Sequence, residues 1–584
     1  MNQLILFTPR SKYLRLALAV AGLYAISAPT PAATLRWDPN GDVAGTSDGA
    51  GTWDTSTALW QLDSNDDGTL NTPEANVLWD NSQGYNAVFG NNSTLPANGY
   101  TIDVSTDISV RNLTFNTGNS GSDGTKKYVL SGAGTLTFAD GGKILIPAQG
   151  GTGGATIGVL IANALNSTLT VSNSTGSQST GILQFGLSNP GILGKIVIGN
   201  TGGFIVQQST EGAFGSASDI MIKDDNTLRF SVTNGVYNYA HFTLNGTGQG
   251  NRGAFYISGA STINSNVTLA SSTMLRIDAN VTFSGNFDDA DSVIGNTLEY
   301  RGLTNNVTVT ATGTNSYSGG TVINAGTAGK SITFRASSDA IFGKLPDVAN
   351  TNIIFKSTGT TGTTVLRSDA SFTIAATRNI SLQSGTSHTF NTNGNDLTVA
   401  GIVSGSVPIF KTGAGVLLLT GNNDYSGLTT VTTGSIGGHG SSASALTLSG
   451  GTRLTPGASG TAGTFFATGL DWNSTAGMDF QLGTTSDLLQ LSGSFNEVLE
   501  GGNYTFAFTN AGGLTTGLYT LVNFATTTFE AGSDFAFTTT VPGLNGNFVL
   551  NATNLQFQVT AVPEPQVMGL AAFSLLALLK RRRR

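Results

Sequence analysis

Short stretches in which apolar and polar residues alternate recur along most of the chain, separated by Gly, Asn and Ser. Five of them are Thr135–Phe138, Ile144–Ile146, Val267–Ala270, Thr447–Ser449 and Leu555–Val559. Alternation with a period of two places apolar side chains on one face of a strand and polar side chains on the other. No sustained helical spacing occurs between about residues 34 and 560, so the pattern predicts an all-β body.

An internal repeat occurs twice in this body. Residues 315–326 and 423–434 carry a tyrosine followed by Gly, Thr and Gly, at offsets of 0, 2, 4 and 9 in both copies. Residues 131–138 contain a related piece without the tyrosine half. The pattern predicts a strand, a Gly/Asn turn and a second strand, which together are too small to bury a core alone. Units of this kind become stable when they stack and share one continuous core.

The second copy lies inside a longer motif. Residues 413–429 follow the pattern Gly-Ala-Gly-x-Leu-x-Leu-x-Gly-x-Asn-x-Tyr-x-Gly-x-Thr, and residues 313–326 match it in part. This motif resembles the autotransporter-associated β-strand repeat of large bacterial surface proteins. The resemblance implies a passenger folded as a right-handed parallel β-helix. A set of β-sandwich domains is the alternative, because low charge and Gly-rich turns fit such domains too.

The N-terminal 33 residues have the composition of a secretory signal. Arg10, Lys12 and Arg15 precede the apolar run Leu16–Ile26, and small residues and prolines follow up to Ala33. Charged, apolar and small residues in this order are typical of a cleavable signal peptide. The run has about 11 residues, which is short for a helix that spans a bilayer. We therefore expect an N-terminal signal helix over residues 1–33, with a buried N-terminal helix as the alternative.

The C-terminal residues 562–584 combine a proline motif, an apolar segment and a basic end. Pro563, Glu564 and Pro565 are followed by the mostly apolar residues 566–579 and by five cations. Cations next to an apolar helix hold that end at the cytoplasmic face of a membrane. The three parts in this order resemble the PEP-CTERM sorting signal. The resemblance implies export, recognition of the three motif residues by an exosortase-type enzyme and only transient anchoring by the C-terminal apolar helix. An ordinary tail anchor is the alternative.

Composition narrows the choice of partners. Charged residues make up 11% of the chain and the net charge is −8. Nucleic acid is an unfavourable partner for such a chain, because binding to phosphates needs clustered Lys and Arg. The chain has no cysteine, which excludes disulfides, thiolate metal sites and cysteine nucleophiles.

One segment fits a calcium-binding loop. Its candidate ligands are Asp63, Asn65, Asp67, Thr69 and Glu74. Oxygen ligands at alternate positions, with Gly68 at the sharp turn, follow the EF-hand pattern for Ca²⁺. No strong helix precedes the loop and Pro73 lies within it, so an Asp/Asn-rich surface turn is the alternative. A bound Ca²⁺ would be a structural ion, and we expect no other cofactor.

Catalytic residues are not evident in the sequence. His241, His388 and His439 lie far apart without metal-type spacing, and we expect each at the surface or in a turn. Acidic pairs such as Asp224–Asp225 and Asp288–Asp289 could serve a β-helical polysaccharide-degrading enzyme, but Lys and Arg are sparse around them. We therefore predict that the protein is not an enzyme.

These observations give one domain layout. We expect a signal peptide (1–33), an N-terminal β cap region (34–125), a β-helix body (126–480) with repeats near 313–326 and 411–436, a C-terminal β cap region (481–560) and a sorting tail (562–584).

The predicted function is that of an exported, non-catalytic passenger on the cell surface or in the extracellular matrix of a bacterium, acting in adhesion or matrix association. Exopolysaccharide or other matrix components are the expected partners. A carbohydrate-binding module for exopolysaccharide is the alternative, and a polysaccharide-degrading enzyme is a further one.

Overall fold

The computed structural model describes residues 32–562, with gaps at 41–47, 64–75, 91–94, 97, 117–126, 147–153, 174–180, 200–201, 291–294, 328, 360, 443 and 458–459. Regular structure in the described residues consists of β-strands and three short 3₁₀ turns, Gln249–Asn251, Asp339–Phe342 and Gly532–Asp534. The expected N-terminal signal helix and C-terminal apolar helix lie outside the described residues. The all-β prediction for the body is confirmed.

The strands form five sheets. In spatial order, sheet A contains Trp60–Asp63, Thr34–Trp37, Asn86–Phe89, Ile108–Phe115, Thr135–Ile146, Thr168–Asn173, Lys195–Ile198, Ile220–Ile222, His241–Leu244, Asn266–Leu269 and Phe287–Asp289, with Leu160–Asn163 also paired to Thr135–Ile146. Sheet B contains, again in spatial order, Gly51–Trp53, Tyr100–Val104, Lys127–Ser131, Gly154–Ile157, Ile182–Phe185, Ile205–Gln208, Thr227–Phe230, Phe255–Ile257, Thr273–Ile277, Leu298–Gly302, Thr321–Asn324, Asn350–Lys356, Arg378–Leu382 and Val403–Gly405.

The other three sheets lie further along the chain. Sheet C contains Gly235–Tyr237, Ser261–Ile263, Val281–Phe283, Val307–Ala311, Ser331–Ala336, Thr363–Ser368, Ser387–Asn391, Ile409–Thr412, Thr429–Val431, Ala445–Leu448, Gly469–Trp472, Ser494–Glu497 and Thr526–Thr527. Sheet D contains Phe372–Ile374, Leu397–Val399, Val416–Leu419, Ser435–Gly438, Arg453–Pro456, Gly477–Gly483, Tyr504–Gly512 and Phe535–Thr539. Sheet E contains Thr464–Ala467, Leu488–Leu491, Gly517–Asn523, Asn554–Ala561 and Asn545–Leu550.

The chain passes from sheet to sheet as a solenoid. From Thr227–Phe230 in sheet B it continues to Gly235–Tyr237 in sheet C and to His241–Leu244 in sheet A. It then returns to sheet B as Phe255–Ile257, which pairs in parallel with Thr227–Phe230. Each circuit is one rung. Parallel stacking of this kind is what a β-helix requires, whereas a β-sandwich is built from antiparallel sheets, so the β-sandwich alternative is wrong.

The five sheets follow three columns. Sheets A and D lie in the same column. In the rungs between them the backbone hydrogen bonds continue from Ser316 N to Phe287 O and from Asn315 N to Ala340 O. Sheets B and E lie in a second column, where the backbone hydrogen bonds after sheet B continue from Asp424 N to Val403 O and from Ser426 N to Gly405 O. The two copies of the internal repeat therefore lie where a regular sheet is interrupted.

The core is one continuous column of inward-facing side chains. In Ile108–Phe115 buried positions largely alternate with less buried ones, as the sequence pattern predicts. Burial of one Leu, Ile or Phe contributes about 1.5–3 kcal/mol, while ordering each residue costs about 1–2 kcal/mol. A single rung buries only a few such side chains, so its stability depends on the rungs above and below it.

Rung length varies along the body. Register partners in sheet C lie 17 residues apart at Val431 and Leu448, 20 apart at Thr262 and Thr282, and 32 apart at Arg335 and Arg367. Longer rungs carry their extra residues in the turns between strands. This variation hides the register from any search for a fixed sequence period.

Both ends of the described solenoid combine antiparallel strands with aromatic clusters. Thr34–Trp37 pairs antiparallel with Trp60–Asp63 at the N-terminal end, and Asn545–Leu550 pairs antiparallel with Asn554–Ala561 at the other. The N-terminal cluster consists of Trp37, Trp53, Trp60, Trp79 and Phe89, whose ring centroids lie 4.9–5.5 Å apart in the contacting pairs. The C-terminal cluster consists of Trp472, Phe495, Tyr504, Phe506, Phe529 and Phe535. The division into caps and body at residues 125 and 480 stays a prediction.

Candidate functional site

An asparagine in each repeat copy joins three successive rungs. Asn423 Oδ1 accepts a hydrogen bond from Val403 N at 2.7 Å, and its Nδ2 donates to Ser441 O at 2.6 Å. Asn315 does the same between Phe287 N at 2.9 Å and Ile341 O at 2.6 Å. Both side chains are buried. A carboxamide offers an acceptor and a donor on two separate atoms, one for each neighbouring backbone, so asparagine suits this position.

The repeat tyrosine lies fully buried below the same turn and pairs with the repeat threonine. Tyr317 Oη lies 2.6 Å from Thr321 Oγ1, and Thr429 Oγ1 donates to Tyr425 Oη at 3.0 Å. Burial raises the pKa of both phenols above the ordinary value, so they remain neutral hydrogen-bonding groups. In the second copy Ser442 on the next rung also donates to the Tyr425 hydroxyl at 2.8 Å. The tyrosine therefore fills the corner and links the two rungs that meet there.

The repeat glycines allow close approach of neighbouring backbones. A Cβ at Gly319 would lie 2.2 Å from Gly295 O, and one at Gly427 would lie 2.3 Å from Val407 O. The later glycine has a positive φ in both copies, +65° at Gly326 and +72° at Gly434. Side chains other than glycine rarely adopt that conformation. Steric contact and backbone geometry thus select glycine at both positions of each copy.

A buried lysine closes the turn of the second copy. Lys411 Nζ donates to Gly413 O at 2.7 Å, to Thr433 O at 2.9 Å and to Thr412 O at 3.2 Å. Burial lowers the pKa of this ammonium from its ordinary value to about 8. The three carbonyl oxygens take the place of water around the charge. Lys411 therefore connects two rungs and is a structural residue.

The bridging asparagine also occurs where the sequence shows no recognisable repeat. Asn189 Oδ1 accepts from Ile161 N at 2.8 Å, and its Nδ2 donates to Ala213 O at 2.7 Å. Turn residues such as Asn280 and Asp396 use a related contact, each accepting one amide proton from the next rung. Sequence reasoning missed these residues, because only the register between rungs reveals what they contact.

Comparison with known proteins agrees with this geometry. Residues 308–327 and 409–436 match the family model described as Passenger-associated-transport-repeat. In these two stretches the chain resembles an autotransporter passenger. No curated protein and no solved structure gives a significant match. The matched stretches contain the bridging asparagines and buried tyrosines, so the passenger-type repeats of this chain are the residues that fasten one rung to the next.

The candidate calcium loop is described only at its first residue. Asp63 is buried in sheet A, and its Oδ2 accepts a hydrogen bond from Arg36 Nε at 2.9 Å in an ion pair. Asn65, Asp67, Thr69 and Glu74 lie outside the described residues. Among the described residues, no group of three or more His, Asp or Glu side chains could hold a metal ion. Calcium binding by this loop stays a prediction.

The sorting residues Pro563, Glu564 and Pro565, with the tail that follows them, also lie outside the described residues, as does the signal segment. In the part of the chain that the structure describes, no helix is long and apolar enough to cross a membrane.

Two of the histidines, His388 and His241, and the acidic residue Asp289 form structural contacts. His388 is fully buried, with its ring 5.7 Å from that of Phe355, so the expectation of a surface or turn position is wrong for this residue. His241 lies between Asp219 and Thr268 on the outer face of sheet A. Asp289 accepts from the backbone and hydroxyl of Ser318 on the next rung. Each of these side chains is occupied by a neighbour in the solenoid.

Sheet B carries a row of basic side chains on its outer face. Arg229, Tyr256, Arg276 and Arg301 occupy register-matched positions on four consecutive strands, and we call them the arginine row. The guanidinium carbons of Arg229 and Arg276 lie 4.9 and 4.2 Å from the centroid of the Tyr256 ring. These distances are typical of cation–π contacts. The four residues are 20 to 27 positions apart in the sequence, so composition alone gave no sign of them.

Proposed function

We propose that this protein is an exported, non-catalytic passenger that acts in adhesion or matrix association at the surface of a bacterium. The observation that carries the proposal is the use of the passenger-type repeat for rung-to-rung contacts by Asn315 and Asn423. A repeat that is devoted to stacking extends a surface without building a catalytic centre. The rod is proposed to wind to the right, as nearly all parallel β crossovers do.

The two ends of the sequence supply the proposed route to that surface. The signal segment of residues 1–33 directs export, and an exosortase-type enzyme recognises Pro563, Glu564 and Pro565 and removes the tail. The C-terminal apolar segment then anchors the chain only during sorting. Exopolysaccharide and other matrix components are the proposed partners of the mature rod.

Fractionation of the producing cells with mass-spectrometric mapping of both termini tests this proposal. We expect a mature chain in the envelope or medium that begins near Thr34 and lacks the residues after about Pro565. Replacement of Pro563, Glu564 and Pro565 by alanine should leave the uncut chain in the inner membrane, whereas the neighbouring Gln566→Ala change should not. Recovery of intact wild-type chain in the inner membrane would contradict the sorting proposal and favour a tail anchor.

A further inference from the structure

We propose that the arginine row binds a linear anionic polysaccharide whose sugars carry carboxylates. This inference rests on the proposed function, since it names the matrix component that the rod contacts. Arg229, Arg276 and Arg301 lie on one face of a chain whose net charge is −8. Cations placed side by side repel one another unless an anion or an aromatic ring compensates their charge. A row of cations in an acidic protein therefore favours the binding of an anion.

The guanidinium groups are held in place, but not all of their N–H donors form hydrogen bonds within the protein. Tyr256 separates Arg229 from Arg276 by contact with both, and Arg276 also pairs with Asp278 Oδ2 at 2.6 Å. Among the described residues, neither Arg229 nor Arg301 forms an ion pair. Arg229 Nε donates to Ser258 Oγ at 2.9 Å and Arg301 Nη1 lies 3.6 Å from Met274 Sδ, which leaves other N–H groups of each guanidinium. A guanidinium has five N–H donors in a planar fork that matches a carboxylate. The row therefore keeps donors for an external anion.

The spacing of the row fits a polymer that lies along the solenoid axis. Strands in a sheet are about 4.8 Å apart, so the row from Arg229 to Arg301 extends for about 14 Å. Gln184 and Gln207 continue the same register on the two preceding strands. One rung is comparable in length to one sugar of an extended chain, so successive sugars can meet successive rungs. Several weak contacts on one polymer then add up to useful affinity.

Acceptors beside the row favour a sugar over a phosphodiester. Two carboxylates lie beside the row: Asp278 pairs with Arg276, and Glu299 lies on the same strand and outer face as Arg301. Glu299 accepts from Asn324 Nδ2 at 2.7 Å and pairs with Lys356 Nζ at 3.3 Å. Sugar hydroxyls can donate to such oxygens, whereas the backbone of DNA has acceptors only. Four cations, including Lys356 two rungs further on, face these two carboxylates. An anionic sugar, with one carboxylate and several hydroxyls, complements this mixture.

Binding of the protein, purified as the cells produce it, to immobilised alginate tests the inference. Alginate is a linear polymer of uronate sugars, and biolayer interferometry at low and high salt measures the affinity. We expect the triple variant R229Q/R276Q/R301Q to bind at least about tenfold more weakly, because hydrogen bonds between charged partners are the strong ones. The charge-conserving variant R229K/R276K/R301K should lose part of the affinity, because lysine lacks the bidentate fork.

The matched control removes the same charge from other faces. Arg335 and Arg367 on sheet C and Arg453 on sheet D are paired with Asp369 and Asp479. The control variant R335Q/R367Q/R453Q should bind alginate like the wild type. Equal loss in both triple variants, loss in neither, or no binding of alginate by the wild type overturns the inference. Equally tight binding of neutral dextran, or of duplex DNA at the same salt concentration, overturns the assignment to an anionic polysaccharide. Thermal unfolding of each variant verifies that the row variants are folded.

The same variants separate this inference from the proposed function. The row variant should reach the envelope or medium with the same termini as the wild type, since the row lies outside both sorting segments in the sequence. Normal localisation with unchanged alginate binding would reject the arginine row and leave the passenger function standing. Retention of the intact wild-type chain in the inner membrane would reject the passenger function whatever the binding result.

Discussion

A single buried carboxamide determines how firmly three rungs of the second repeat hold together. In the variant Asn423→Leu the side chain keeps its approximate size, but Val403 N–H and Ser441 C=O lose their partners. Each of the two buried unsatisfied groups costs about 1–3 kcal/mol, so we expect a loss of about 2–6 kcal/mol in the free energy of unfolding. Urea unfolding measures the loss, and hydrogen exchange should show faster exchange of the Val403 amide.

The control for this variant is Asn264→Leu. Asn264 is exposed, and among the described residues its side chain bonds only to that of Asn238, so its replacement should change stability by less than about 0.5 kcal/mol. Equal effects of the two substitutions would show that the bridge between rungs is not what makes Asn423 important.

Asp487 gives the fold a dependence on pH. Burial raises the pKa of this carboxyl from 3.8 to about 7 in the folded protein, although the amides of Gly463 and Gln481 favour the charged form. Between these two pH values the folded chain holds the proton more tightly than the unfolded chain. The contribution to stability is therefore complete below pH 3.8 and is lost as the pH rises towards about 7. One pKa unit corresponds to about 1.4 kcal/mol, so the loss is at most about 4 kcal/mol.

The variant Asp487→Asn isolates this effect. Asparagine resembles the protonated carboxyl, because it is neutral and has an accepting carbonyl oxygen beside a donating group, but it does not titrate. The difference in unfolding free energy between variant and wild type should therefore change across the window, with the variant gaining relative stability as the pH rises. Urea unfolding at pH values below, within and above the window measures it. Parallel curves for the two proteins would mean that Asp487 titrates at its ordinary pKa.

At the scale of residues, the sequence revealed the repeated types but not their contacts. Tyr317 and Tyr425 stand out by their spacing, yet nothing in the spacing shows that their hydroxyls meet the repeat threonines. Histidine is usually half-exposed, which favours a surface position for His388, but the structure buries this side chain against Phe355. The arginine row could not be predicted from the sequence, because only the strand register shows that its residues are neighbours.

At the scale of elements, period-two alternation was a sufficient signal for strands. Thr135–Phe138 and Ile144–Ile146 lie in one long strand of sheet A, and Leu555–Val559 lies in the strand Asn554–Ala561 of sheet E. Pairing was harder to foresee, because strands of similar composition could stack in many registers. Turns of different length, as between Arg335 and Arg367, decide among these registers.

Close backbone packing at the turns makes glycine a determinant of rung stacking. In Gly427→Ala the added methyl would lie 2.3 Å from Val407 O, so the turn or the rung beneath it must move. Overpacking of this kind costs about 1–3 kcal/mol, and the loss should appear in the midpoint of urea unfolding. The control Gly295→Ala places its methyl 3.9 Å from the nearest neighbouring atom, Gly319 Cα, and should be nearly neutral. A neutral Gly427→Ala would show that the turn yields without cost.

At the scale of the whole molecule, the solenoid depends on neighbouring rungs rather than on one central core. The 14 strands of sheet B alone extend for about 60 Å at about 4.8 Å per strand. Contacts across the interior link each rung to the next, so distant rungs affect each other only through those between them. The aromatic clusters at the two ends protect terminal rungs that have a neighbour on one side only.

Nearest-neighbour stacking predicts that one complete rung can be removed without loss of the fold. Residues 256–275 form such a rung, because Phe255 pairs with Leu275 and Tyr256 with Arg276. Deletion of these 20 residues joins Phe255 to Arg276 and removes one strand from each of sheets A, B and C. In the remaining strands, each side chain still points to the same side of its sheet. We expect cooperative thermal unfolding and a rod shorter by about 5 Å in small-angle X-ray scattering.

A deletion of residues 256–265 is the matched control, since it removes half as many residues but leaves an incomplete rung. The strand Asn266–Leu269, which belongs to sheet A, would then follow Phe255 directly in the column of sheet B, and the strands after it would be displaced from their own columns. We expect this variant to aggregate or to lose its cooperative transition, because a shift in register exposes apolar side chains. If the shorter deletion folded as well as the variant that lacks a complete rung, the columns would tolerate mismatched rungs, and stability would not depend on the stacking of complete rungs.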